Sequence, residues 1–173
     1  MNNAIPTNII RFVVLYLIQI LIFKQVTFSL GGLAYIHFII YPMAIILMPI
    51  KTPKAVLLLS AFVMGLALDM SYDSVGIHAA ALVFTAYIRN IVIAFLEPFD
   101  GYSVTDVPSI KNFGFAWFVS YVSIVLLLHI FTYFSVEAFS FVYIFEIFLN
   151  TIFSFIFSFF VIMVSQFIIR TKY

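Results

Sequence analysis

Apolar residues come in long runs broken by short clusters of glycine, proline and charge, and a run of about 20 is the length that crosses a bilayer as a helix. Six such runs are predicted, over 9–28, 33–50, 53–70, 76–96, 113–134 and 146–169. The first carries Gln19 inside and closes on a turn from Ser29 to Gly32. The second contains Pro42 and ends at Pro49, Lys51 and Pro53. Thr52 and Pro53 read as a cap and a first-turn proline opening the third. Asp69 and Asp73 mark its exit. The longest polar stretch, Glu97 to Lys111, separates the fourth run from the fifth. The final apolar stretch exceeds one span, with Ala138 to Phe145 expected at the interface. Phe148, Phe153, Phe155, Phe157, Phe159 and Phe160 go nearly all round the last helix, as lipid contact would have it.

Composition agrees. The 173 residues are 65% hydrophobic and 9% charged, where a soluble domain carries roughly a quarter charged residues. The expected fold class is an all-α integral membrane protein, one polytopic domain over 1–173 with about six helices in a compact bundle. Polar segments are too short to fold alone. With the N-terminus inside, Arg11, Lys51, Lys54, Arg89, Lys111, Arg170 and Lys172 are cytoplasmic and Lys24 lies outside. The positive-inside bias therefore predicts both termini in the cytoplasm. The N-terminal run reads as an uncleaved signal anchor, because no small-residue cleavage site precedes Lys24. A net charge of +1 without a basic patch argues against nucleic acid, and zero cysteines exclude thiol chemistry.

Ionisable and polar groups inside spans are the candidate functional residues. Gly65 and Asp69 share one face of the third helix, as helix packing or as a partner site. Asp69, Asp73 and His78 converge on a tight outer loop. They lack the ligand spacing of a recognisable metal site, and a loop-ordering hydrogen bond from His78 to a carboxylate is the simpler reading. Arg89 lies eleven residues after His78 on nearly the same side, either snorkelling to headgroups or pairing with a carboxylate such as Glu97 or a partner's. Glu146, Asn150 and Ser154 recur every four residues as a polar stripe of the kind that bonds helix to helix. Gln19, His37 and His129 are isolated and read as packing residues. No catalytic, cofactor or phosphate-loop signature appears, so no enzyme activity, cofactor or small-molecule substrate is expected.

The stretch from Phe62 to Asn90, with Gly65, Asp69, Gly76, Ile77, His78 and Ala79 in that order and spacing, resembles the central signature of the bacterial rod shape-determining MreD family. Phe95 to Phe118 is similar to a cytoplasmic connection in one branch of it. The resemblance implies a non-enzymatic component of the cell-elongation machinery in the bacterial cytoplasmic membrane. It would bind MreC and, through it, link MreB filaments, RodA and a class B penicillin-binding protein to peptidoglycan synthesis. It also implies a fold similar to the substrate-binding subunits of energy-coupling-factor transporters, which makes a vitamin-type transporter subunit the alternative.

Overall fold

The computed structural model describes residues 4–30, 34–103 and 106–170. Their elements, in chain order, are α1 (Ala4–Leu21), β1 (Thr27–Leu30), β2 (Ala34–His37), α2 (Met43–Ile46), α3 (Lys54–Tyr72), α4 (Ile77–Phe95), α5 (Ile110–Phe113), α6 (Phe115–Ala138) and α7 (Ile144–Arg170). The described residues are predominantly helical, and among them five helices are long and apolar enough to cross a membrane: α1 with the 3-10 turn that continues it to Gln25, α3, α4, α6 and α7. They pack in series, α3 on α4, α4 on α6 and α6 on α7, while α1 lies against α2 and α3. Leu59, Phe62 and Val63 of α3 and Ile152, Ile156 and Phe160 of α7 face outward. Helices so apolar on their outer faces need lipid around them.

The run expected to form a second spanning helix does not form one. Its start, with the turn at Gly31 and Gly32, lies partly outside the described residues. From there β2 pairs antiparallel with β1, His37 opposite Thr27, residues 38–42 are irregular, and only the single turn of α2 follows. The reasons are local. Pro42 has no N–H and sits at the cap of α2 with φ −60°, Pro49 stops that helix, and β-branched Ile36, Ile39 and Ile40 favour extended backbone. The segment is nonetheless core, since Ile39, Tyr41, Ala44, Ile45 and Ile46 are all buried.

This non-helical segment runs the length of the bundle. At one end Gln19 and Lys24, which follow it in space, reach the close of α3: Gln19 donates to Tyr72 (3.0 Å) and Lys24 to the Ser71 carbonyl. At the other end the Ile50 N–H donates to Asp106 O (2.9 Å), in the connection after α4. Backbone groups without helical partners cannot be left bare in an apolar interior, where each costs several kcal/mol. Side chains of four helices meet them. From α7, Ser154 Oγ accepts from His37 N (3.0 Å) and Ser158 Oγ from Ile39 N (2.8 Å). From α1, Gln19 accepts from Ile40 N and donates to Phe38 O, both at 3.0 Å, and Arg11 donates to Leu47 O (2.8 Å). Tyr121 of α6 donates to Ile46 O (2.9 Å), and Arg89 of α4 to Met48 O and Pro49 O.

Helix boundaries differ from the sequence expectation by a few residues elsewhere. Thr52 does not cap α3: its hydroxyl donates to Pro49 O (2.7 Å), and extended Pro53 (φ −54°, ψ 134°) occupies the cap position. After α6 the backbone turns through Phe139 (φ +44°) and a 3-10 turn at 141–143, so α7 starts two residues before Glu146. The polar connection after α4 is folded, with Tyr102 donating to Ile93 O (2.9 Å) and Trp117 Nε1 to Leu96 O (2.8 Å).

Candidate functional site

The residues singled out between Gly65 and Ala79 meet at one corner, where α3 turns into α4. Gly65 lets the two backbones touch: a Cβ built there would lie 2.3 Å from Ala79 Cα and 2.7 Å from Ala79 N. No side chain fits. One turn further on, Asp69 is buried and receives four donors. Its Oδ1 accepts from Ser74 Oγ (2.6 Å), His78 N (2.9 Å) and His78 Nδ1 (2.9 Å), and its Oδ2 accepts from Ala79 N (3.0 Å). Gly76, at φ +78°, is the cap of α4, so His78 and Ala79 carry two of the N–H groups that the helix leaves unpaired. A carboxylate from the preceding helix satisfies both and sits at the positive end of the α4 dipole. The same geometry fixes protons: the Ser74 hydroxyl donates to Asp69, which leaves Nδ1 of His78 as the protonated ring nitrogen toward Asp69 and turns Nε2 the other way.

His78 lines a cavity of about 190 Å³ together with Gln19, Phe23, Lys24, His37, Phe38, Ile39, Tyr41, Tyr72 and Tyr133. Three tyrosine rings surround the His78 imidazole, with centroids at 4.7 Å (Tyr72), 5.1 Å (Tyr133) and 5.6 Å (Tyr41). The Lys24 ammonium lies 5.3 Å from the centre of the Tyr72 ring, within cation–π range. Behind Tyr41 a buried chain continues, Tyr41 OH to His129 Nε2 (3.0 Å) and His129 Nδ1 to Thr85 Oγ1 (2.7 Å). Thr85 gives its proton to Ala81 O (2.7 Å). Every donor then finds an acceptor with a neutral His129 protonated on Nδ1. His129 and Gln19 are thus structural polar residues with full hydrogen bonding, and the ring of His37 packs edge-on against Phe134 (5.7 Å).

Arg89 departs from both expectations. It is fully buried, so it does not reach headgroups, and Glu97 is exposed on the connection beyond α4. Its guanidinium binds the carbonyls of Met48 and Pro49, and Nε is buried without a hydrogen-bond partner. No carboxylate pairs with it among the described residues. The irregular segment explains this, because bare carbonyls in the core offer a cation the dipoles that a carboxylate would otherwise supply.

The polar stripe of α7 divides. Ser154 is buried on the backbone of β2 and the residues after it, and the same face continues through Thr151 and Ser158. Glu146 is exposed at the helix start and, with half-buried Asn150 and with Glu137, borders a separate cavity of about 240 Å³. Asp73 is exposed in a left-handed turn at the end of α3 (φ 54°) and stands outside the Asp69 network. Sequence reasoning missed Ser74, Tyr41, Tyr72, Tyr133, Tyr121 and Ser158. Only Ser158 carried a signal, one further step of the four-residue stripe. Comparison with protein-family models, with curated proteins and with solved structures gave no match.

Proposed function

We propose that this chain is a non-enzymatic assembly component of the bacterial cell-elongation complex, of the MreD kind, residing in the cytoplasmic membrane and binding MreC. The observation that carries the reading is the corner itself. The residues of the resemblance have one physical role each, Gly65 for helix contact, Gly76 for the left-handed cap, and Asp69 with His78 and Ala79 for the joint. A joint whose carboxylate is saturated by four donors holds helices, and leaves the outer faces of α3 and α4 for a partner. Gly65 and Asp69 themselves are interior, so the partner-facing residues are Leu59, Phe62 and Leu66 of α3 and Tyr87 and Ile91 of α4. The non-helical segment acts as a sixth crossing between the helical five, which leaves both ends on the cytoplasmic side, consistent with the distribution of Lys and Arg. Depletion followed by microscopy tests the reading, with rods rounding as the expected result. Co-purification with MreC should fall for Phe62→Arg at unchanged expression and melting temperature. Cells that stay rod-shaped, with MreC recovery unaltered, would overturn it.

The cavity beside His78 favours the second reading, a substrate-binding subunit of a vitamin-type transporter. Its volume of about 190 Å³ is below the roughly 300 Å³ at which small-molecule sites begin, so the first reading stands ahead. A growth defect rescued by an added vitamin, with cell shape intact, would reverse that order.

A further inference from the structure

We propose that the groove between α1 and α7 is a binding site for one anionic phospholipid, with Arg11 holding the phosphate and an acyl chain lying along α1. The groove encloses about 490 Å³; Ile10, Val14 and Ile18 of α1 form one wall, Val161 of α7 the other, and Met43 and Leu47 the floor. Ile10 and Val14 are exposed toward the bilayer side of α1, so the groove opens where lipid is. Its length fits a leaflet: Thr7 to Ile18 is twelve residues, about 17 Å of helix from the first Cα to the last, against about 15 Å for half of the hydrocarbon core. Charge selects the headgroup. Arg11 is half-buried in the groove, and only its NH1 is engaged, to Leu47 O (2.8 Å) and Asn8 Oδ1 (3.3 Å). No carboxylate pairs with it among the described residues, which leaves the NH2 and Nε edge for a bidentate phosphate contact. Lys51 and Lys54 lie at the same end of the bundle as the Arg11–Leu47 contact and reinforce an anionic preference.

The site does not depend on the cell-elongation reading, and its test is separate. The full chain is reconstituted in phosphatidylcholine containing phosphatidylglycerol, released gently, and its retained lipid is read by native mass spectrometry. One phosphatidylglycerol per chain is expected, in preference to phosphatidylcholine. Retention should drop roughly tenfold in Arg11→Gln, the scale of one charge-assisted contact. It should drop similarly in Val14→Trp, which fills the groove and leaves the Arg11–Leu47 bond in place, and persist in Val63→Trp on the outer face of α3. Thermal melting followed by far-UV circular dichroism confirms that each variant is folded, and if Arg11→Gln is not, Val14→Trp decides. Equal retention of the two lipids, wild-type retention in Val14→Trp, or equal stabilisation by soluble glycerol phosphate in place of the lipid would overturn the proposal.

Discussion

Asp69 shows how much one buried carboxylate can organise. It closes α3, caps α4 and fixes the tautomer of His78 in one network. Asp69→Asn keeps the shape but replaces one acceptor by an amide donor, which then faces a backbone N–H or the His78 ring. A loss of about 2 kcal/mol is expected, read as a lower melting temperature by Trp117 fluorescence, and an unchanged melt would remove the capping role. Arg89 invites a different substitution. Its guanidinium reaches two successive carbonyls in the core, whereas lysine offers a shorter point charge that must be desolvated at the same depth. Arg89→Lys should therefore destabilise by roughly 1–3 kcal/mol, while a lysine that merely snorkelled would be silent. Both residues were visible in the sequence as intramembrane charges. Their partners were not, because Ser74 is an ordinary loop serine and Met48 and Pro49 act only through carbonyls that a helical reading would have placed in hydrogen bonds.

At the scale of elements, the non-helical segment is the feature on which sequence and structure part. A run of apolar residues over 33–50 has the length of a span, and periodicity cannot distinguish a helix from extended backbone buried on every side. Pro42 and Pro49 were the available warning, and membrane helices tolerate proline often enough to silence it. The other runs were legible, since α3, α4 and α6 are interrupted by no proline and bounded by glycine or charge. What replaces the missing helical hydrogen bonds is a set of side chains of which Gln19 and Ser154 stand out in the sequence as polar residues inside spans while Tyr121 and Ser158 do not. Replacing Ser154 and Ser158 together by alanine removes the acceptors for His37 N and Ile39 N while keeping the packing volume of α7. The double variant should lose about 2–4 kcal/mol, and amide hydrogen exchange should rise at His37 and Ile39 before it rises in α4. Uniform exchange across the bundle would mean that α7 does not hold this segment.

For the whole molecule, among the described residues five long apolar helices and one irregular segment share a core, with a polar joint at one end and a tyrosine-lined cavity beside it. An assembly role asks for this kind of body: an interior in which the buried side-chain polar atoms of the described residues are hydrogen-bonded except for Arg89 Nε and Thr151 Oγ1, and apolar outer faces on α3 and α4 for a partner. The side of the membrane on which each connection lies follows only if the segment from His37 to Ile50 crosses. Because the chain has no cysteine, single cysteines report that crossing without background. Gln25→Cys and Val75→Cys flank the end near the α3–α4 corner, and Lys51→Cys and Phe99→Cys flank the other, all at exposed positions. With a membrane-impermeant maleimide on intact cells, the first pair should label, and the second pair only after permeabilisation. Labelling of Lys51→Cys together with Gln25→Cys in intact cells would contradict the crossing, and with it the placement of both termini in the cytoplasm.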